Sequence, residues 1–393
     1  MKKVVLAYSG GLDTSCAIKW LKDKGYEVVC FIADLGQGLG KGEDFGAIEE
    51  RALAAGALKV YIKDLQAEFV KDFVVPSLKA NAVYEGKYFL ATALGRPLIA
   101  KYLVEVAHKE KAQCVSHGCT GKGNDQVRFE VTIGILDPEL EIIAPLRCWE
   151  FKSREEEIEY AKKQHIPIDV TRKKPYSIDR NIWGISIEAG VLEDLEKEPP
   201  EDAYLITKNP SDMSGHPKYV ELYFEKGVPR KLDGKSLPLK ALINELNRIG
   251  GQYGVGRADM VENRLVGIKS REIYEAPAAA ILHTAHKELE ALTLDRETLH
   301  YKEIIALKYA ELVYYGLWYS TLKKALDGFV AVTQEYVTGS VKLKLSRGNC
   351  VPVSRRSANS LYKKELSTYG KEDKFNQQLA EGFIRLWGMP YQK

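Results

Sequence analysis

The stretch Val4-Val5-Leu6-Ala7-Tyr8-Ser9-Gly10-Gly11-Leu12-Asp13-Thr14-Ser15 decides how this chain is read. Val4–Tyr8 is an unbroken apolar run, the pattern of a strand buried on both faces. A helix is expected from about Thr14 to Lys24, so the glycines fall on a strand-to-helix turn. Gly10 and Gly11 let the backbone turn tightly and approach a ligand closely. Thr14, Ser15 and the free N–H groups of the helix start offer donors to an anion. The segment therefore reads as a phosphate loop, with an ordinary capped turn as the alternative. It matches neither G-x-x-x-x-G-K-[ST] nor the dinucleotide-binding G-x-G-x-x-G.

Outward from this loop, Glu27–Ala33, Leu58–Lys63, Gln113–Ser116 and Glu141–Ala144 read as further strands. Helical patterns at about Asp44–Ala55, from Asp64 onward and at Thr92–Lys109 lie between them. Strand-helix-strand order at this spacing predicts an α/β fold, a doubly wound parallel sheet forming a nucleotide-binding domain over residues 1–167. Ser153-Arg154-Glu155-Glu156 is a capping-box pattern that opens a helix running to about His165, and Pro167 ends it. From about residue 168 the alternation stops. Val220–Glu225, Pro229–Leu232, Val266–Lys269, Val330–Val337, Ser340–Ser346 and Val351–Arg355 are expected as antiparallel strands. With helices at Leu237–Ile249, Ala278–Ala291 and Lys302–Tyr319, they predict an α+β domain over residues 168–365. In the last segment, 366–393, Phe375, Leu379, Phe383 and Leu386 recur at helical spacing, one apolar stripe on a terminal helix. Packing on its own domain and docking on another subunit both remain open for it.

Bulk properties narrow the function. A chain of 393 residues suits two domains, and 45% apolar with 28% charged residues fits a soluble globular protein. Fifty-seven basic against 54 acidic residues leave a net charge of +3, so no nucleic-acid partner is called for and any anion site must be local. The six cysteines form no C-x-x-C pair, and no histidines cluster at metal-ligand spacing, which suggests reduced thiols in a cytoplasmic protein. Cys114 and Cys119 as a redox pair are the minor alternative. The basic start Met1-Lys2-Lys3 precedes an apolar run too short for a signal-peptide core. Ile304–Tyr319 is broken by Lys308 and Glu311 and is too short for a membrane span.

A second constellation, Ser116-His117-Gly118-Cys119-Thr120-Gly121-Lys122-Gly123-Asn124-Asp125-Gln126-Val127-Arg128-Phe129, follows the fourth expected strand. Three glycines among Thr, Lys, Asn, Asp and Arg are too polar for a packed turn. The position is the carboxyl edge of the sheet, where α/β proteins bind ligands.

Ser-Gly-Gly-x-Asp resembles the loop of the ATP pyrophosphatase superfamily, whose sheet is of the adenine nucleotide alpha hydrolase type. Joined with Gly-x-Thr-x-Lys-Gly-Asn-Asp-x-x-Arg-Phe, it resembles the motif pair of the argininosuccinate synthase family. Thr14, standing between Asp13 and Ser15, is part of that likeness. Tyr176-Ser177-Ile178-Asp179, Ser186-Ile187-Glu188-Ala189-Gly190 and Val261-Glu262-Asn263-Arg264 extend it through most of the chain.

The resemblance implies that Ala7, Tyr8, Ser9, Gly10, Gly11, Leu12, Asp13, Thr14, Ser15, Ala33 and Gly118 contact ATP. It implies that Thr120, Asn124 and Asp125 hold aspartate. Citrulline falls to Tyr88, Thr92, Asn124, Arg128, Ser177, Ser186, Glu262 and Tyr274. The chemistry agrees, since a zwitterion needs a cation for its carboxylate and an anion for its ammonium, and Arg128 and Glu262 supply them. The implied reaction makes citrullyl-AMP and pyrophosphate, then argininosuccinate and AMP, with Mg²⁺ arriving on the nucleotide. Asp125 is a candidate to take the aspartate amine's proton. A homotetramer held partly by the C-terminal helix is also implied. Two departures stand out: Ala93, where many members have serine, and Gly38-Leu39-Gly40-Lys41, which is longer than in many relatives. A tRNA-modifying ATP pyrophosphatase and a nucleotide sensor without turnover are the competing readings.

Overall fold

The computed structural model describes residues 1–38, 44–151, 153–167, 176–213 and 215–392. The longer loop expected at Leu39–Lys41 therefore lies outside the described residues.

The amino-terminal sheet is built from β1 (Lys2–Ala7), β2 (Tyr26–Asp34), β3 (Lys59–Asp64), β4 (Cys114–His117) and β5 (Glu141–Ile143). All pairings are parallel, in the order β3-β2-β1-β4-β5. The chain starts at the centre, winds outward to β3, then returns to the other side of β1 as β4. That reversal leaves a crevice at the carboxyl ends of β1 and β4, beside both glycine-rich loops.

Alternate residues of β1 face opposite layers. Val4 and Leu6 pack with helices Leu12–Asp23, Phe45–Ala55 and Arg154–Lys163. The last of these is capped by Ser153, whose hydroxyl accepts from Glu156 N at 3.3 Å. Val5 joins Val29, Phe31 and Val115 against the helix Ala91–Glu110, and that layer is continuous with Trp183, Leu282 and Tyr314 further along the chain. Helix Ala91–Glu110 thus belongs to two packing surfaces. The burial of 13 of its 20 residues follows from that position.

The second part of the chain contains β6 (Ser177–Asn181), β7 (Gly184–Glu188), β8 (Lys218–Glu225), β9 (Val228–Leu232), β10 (Lys235–Ser236), β11 (Arg257–Asn263), β12 (Lys269–Glu275), β13 (Gly339–Ser346) and β14 (Asn349–Arg356). They form two antiparallel sheets, β10-β9-β8-β13-β14 and β11-β12-β7-β6.

Three sequence expectations change here. Of the strand expected at Val266–Lys269 only Lys269 is in a strand; the residues before it form a turn, with Gly267 N donating to Arg264 O at 3.0 Å, and the strands are the charged segments on either side. Val330–Val337 begins as the end of helix Thr321–Thr333, whose buried Leu326, Val330 and Thr333 recur at helical spacing; local β-branching there yields to packing. The helix expected at Lys302–Tyr319 starts earlier, at Arg296, where Asp295 caps it, and stops at Tyr314 ahead of Gly316 at φ +75°.

The terminal helix is Gln378–Gly388, with Phe375 ahead of it. Leu379, Phe383, Ile384, Leu386 and Trp387 all remain more than 60% exposed, so the stripe finds no cover among the described residues. No helix among the described residues is long and apolar enough to cross a membrane.

Candidate active site

The first loop is tied to itself by short-range bonds. Ser9 Oγ lies 3.1 Å from Thr14 Oγ1, and Tyr8 OH lies 2.9 Å from Ser15 Oγ. Arg51 Nη1 donates to the Gly10 carbonyl at 2.7 Å. Gly10 has φ +80°, a conformation that glycine adopts without strain. Gly11 stands at the N-cap of helix Leu12–Asp23 and no side chain caps it. Ala33, at the end of β2, lies on the same sheet edge, and its carbonyl accepts from Gln37 Nε2 at 2.8 Å.

The second loop leaves β4 and meets the first. A β-carbon on Gly118 would lie 2.5 Å from Thr14 Cγ2. The buried His117 receives the Cys119 N–H on Nδ1 at 3.3 Å, which leaves Nε2 to donate to Glu130 at 3.0 Å in the neutral ring. Gln126 Nε2 donates to the carbonyls of Gly121 and Gly123 at 2.6 and 3.2 Å. The base of the loop is therefore fixed while Thr120, Gly121 and Lys122 stay exposed.

Helix Asp125–Leu136 starts where this loop ends and carries Asp125 and Arg128 one turn apart, with Arg128 Nη1 donating to Asp125 Oδ1 at 2.8 Å. Arg96, one turn beyond Thr92 on its own helix, donates to Asp125 Oδ2 through Nε at 2.9 Å and Nη2 at 2.7 Å, and Nη2 also bonds Asp179. Burial pushes the Asp125 carboxyl up, but Arg96 and Arg128 outweigh it and hold the group well below the usual carboxylate range. Burial leaves Asp179 above its ordinary value; Arg96 opposes that shift and Asp125 adds to it.

The antiparallel sheet supplies the other wall. Its register pairs Asp179 with Ser186 and Ser186 with Tyr274, a row across β6, β7 and β12. Ser186 Oγ lies 3.2 Å from Thr92 Oγ1. The Tyr274 ring stacks on Tyr88 with centroids 4.1 Å apart, and its hydroxyl donates to Glu262 Oε2 at 2.6 Å. Tyr88 OH accepts from the N–H groups of Thr92 and Ala93 at 2.9 and 3.2 Å, closing the start of helix Ala91–Glu110. Glu262 is 2% exposed, and burial pushes its carboxyl up against the opposing hydroxyls of Tyr274 and Tyr314 and the charge of Arg128.

Tyr88, Thr92, Asn124, Arg128, Ser186, Glu262 and Tyr274, scattered over nearly 190 positions, thus meet in one cluster. Ser177 lies on β6 two residues from Asp179, and it is exposed. Ala93 is fully buried, and its backbone N–H is already given to the Tyr88 hydroxyl. Sequence reasoning missed Arg96, Asp179 and Tyr314. Arg96 had a signal, its one-turn spacing from Thr92, and Asp179 lay inside a quoted motif. Tyr314 had none, because an aromatic residue at a helix end reads as core.

Two family models match consecutive parts of the chain. Residues 3–167 match the arginosuccinate synthase N-terminal HUP domain, and residues 176–393 match the arginosuccinate synthase C-terminal domain. The chain is 56% identical over 391 residues to an argininosuccinate synthase of Pelotomaculum thermopropionicum, covering 99% of this chain and 96% of that one. It is 56% identical over 390 residues to that of Carboxydothermus hydrogenoformans and 57% identical over 391 residues to that of Desulfitobacterium hafniense, with the same coverage. With both family models matched in turn along the chain and near-complete coverage of its relatives, the chain belongs to the argininosuccinate synthase family.

Proposed function

We propose that Ala7–Ser15, Ala33 and Gly118 bind ATP, that Thr120, Asn124 and Asp125 hold aspartate, and that Tyr88, Thr92, Asn124, Arg128, Ser177, Ser186, Glu262 and Tyr274 hold citrulline. A member of this family is a carbon–nitrogen ligase of arginine biosynthesis that joins citrulline to aspartate at the expense of ATP. The supporting observation is that one short segment spans both halves of the site. Gly118 touches Thr14 of the phosphate loop, while Asn124 and Arg128, ten residues on at most, enter the Tyr88–Tyr274–Glu262 cluster.

The ureido oxygen of citrulline attacks the α-phosphorus, forming citrullyl-AMP as pyrophosphate leaves. The aspartate amine then displaces AMP. The chain's part is alignment and charge stabilisation. First-turn N–H groups and the hydroxyls of Ser9, Thr14 and Ser15 would receive the phosphates. Arg128 would take the citrulline carboxylate and Glu262 its ammonium. Asp125 is a poor proton acceptor, because Arg96 and Arg128 keep it ionised despite burial. Its place is to orient the amine, and Asp179, held above its ordinary value, is the better base on the same arginine.

Mg²⁺ would travel with the nucleotide and offset phosphate charge, since it keeps its waters and prefers phosphate oxygens. The loop hydroxyls of Ser9 and Thr14 would be the groups to touch those waters. The exposed apolar stripe of 366–393 supports an oligomerisation arm and a homotetramer, with 1–167 and 168–365 as the nucleotide-binding and synthetase domains. Small molecules are the only partners required, and the cytoplasm is the setting.

The deciding experiment is pyrophosphate release from ATP, expected only when citrulline is present, with AMP following once aspartate is added. Release driven by tRNA and indifferent to citrulline would overturn the proposal. Burial, with Glu157 and Asp13 nearby, pushes the Cys16 thiol up to about 12, which removes the reactive thiolate that a tRNA-thiolating enzyme needs.

A further inference from the structure

Tyr314, the last residue of helix Arg296–Tyr314, is fully buried and stands where three of the amino-acid-binding groups converge. Its hydroxyl lies 2.6 Å from Glu262 Oε1 and 2.7 Å from Asn124 Nδ2. Its backbone carbonyl accepts from Arg128 Nε at 2.9 Å, and its ring centroid lies 4.7 Å from the Arg128 guanidinium carbon.

The bond directions follow from donor inventory. Asn124 Oδ1 accepts the Leu265 N–H at 2.9 Å, which turns the amide nitrogen toward Tyr314. That nitrogen can only donate, so the phenolic oxygen accepts from it and its single proton goes to Glu262. Glu262 then has a hydroxyl on each oxygen, Tyr314 on one and Tyr274 on the other, which fixes the carboxylate plane before any ligand arrives. Arg128 is held in the same way. Nε is committed to the Tyr314 carbonyl and Nη1 to Asp125, leaving Nη2 for a substrate carboxylate.

The surrounding chain keeps Tyr314 in this position. Its ring stacks on Tyr84 with centroids 3.6 Å apart. The carbonyl that receives Arg128 belongs to a helix carboxyl terminus, where partial negative charge favours a cation. Two residues later Gly316, at φ +75°, passes so near that a β-carbon there would lie 2.7 Å from Arg128 Cα. Helix Arg296–Tyr314 is thereby brought against helix Asp125–Leu136 at the site itself.

We propose that Tyr314 is a positioning residue that presets Glu262, Asn124 and Arg128 for citrulline. The inference rests on the citrulline assignment made above. It adds a group that no sequence motif carries, contributed from outside the nucleotide-binding domain.

Tyr314→Phe in the full-length enzyme tests it, because the ring and carbonyl stay while the hydroxyl bridge goes. The expected result is a rise of about tenfold in KM for citrulline, with KM for ATP within about twofold of the parent. The gain in melting temperature given by citrulline should shrink while that given by ATP persists, a readout available even from a less stable variant. Glu262→Gln is the companion variant. An unchanged citrulline KM in Tyr314→Phe beside a raised one in Glu262→Gln overturns the role of Tyr314 and leaves the pocket assignment standing. Unchanged values in both overturn the pocket assignment and this proposal with it. Equal rises for citrulline and ATP show general damage and also overturn the role.

Discussion

Gly118 meets Thr14 at van der Waals contact, and the space between them cannot hold a β-carbon, which would sit 2.5 Å from Thr14 Cγ2. This contact joins the loop after β1 to the loop that leads into the Tyr88–Tyr274–Glu262 cluster. Gly118→Ala should push the loops apart at a cost of about 1–3 kcal/mol and lower citrulline-dependent pyrophosphate release at least about tenfold. The blocking atom is a methyl group, so Thr14→Ser should restore most of the lost rate in the Gly118→Ala background. Kinetics of the single and double variants check this, and an uncorrected double variant would place the damage elsewhere.

Arg128 divides its donors between Asp125 and the Tyr314 carbonyl while only 4% exposed. A lysine ammonium is a single point of charge and cannot make both bonds and face a substrate. Arg128→Lys should raise KM for citrulline at least about tenfold and leave KM for ATP within about twofold. Titration of each ligand by calorimetry gives the comparison, and equal weakening of the two would contradict the assignment.

Glu157 lies on helix Arg154–Lys163 beside Asp13, and burial, followed by the charge of that neighbour, pushes its carboxyl up to about 8. The folded state therefore keeps a proton that the unfolded chain gives up at its ordinary, lower value. Stability from this group is fully present below the ordinary carboxylate range and is lost as pH rises toward 8. Glu157→Gln removes the titration. The variant should melt several degrees above the parent at about pH 9, with the difference closing toward about pH 5. Melting curves across that range check it, and parallel curves would refute it.

Leu379, Phe383, Leu386 and Trp387 are exposed on the terminal helix, and burying each would contribute about 1.5–3 kcal/mol. Deleting residues 368–393 should lower the oligomeric state in a sedimentation measurement. The core residues of the remaining chain, such as Trp183 and Tyr309, do not depend on that segment. A truncated chain that sediments as the parent does would remove the tail from the assembly.

Much of the first domain was legible because its signals are local. All five parallel strands were expected from apolar runs, whereas their order, β3-β2-β1-β4-β5, came from the structure. Both glycine-rich loops were legible for the same reason, since turn chemistry is written in adjacent residues. The strands β11 and β12 were not. Arg257-Ala-Asp-Met-Val-Glu-Asn and Lys269-Ser-Arg-Glu-Ile-Tyr-Glu look solvated, yet their charges are consumed by one another, as in Arg271 with Asp259 at 2.6 Å, or by the site, as in Glu262.

What the sequence determined by itself was the α/β sheet, the two loops at its carboxyl edge and, through the motif pair, the chemical class. Only the tertiary structure decided that Arg96 joins Asp125 to Asp179, that Glu262 is held by hydroxyls from the adjoining strand and from a helix well beyond it, and that Tyr314 closes the cluster. The physical reason is range. Strand burial, glycine turns and helix caps are settled among neighbouring residues, whereas a buried charge is tolerable only beside partners drawn from any part of the chain, and folding alone brings them within hydrogen-bond reach.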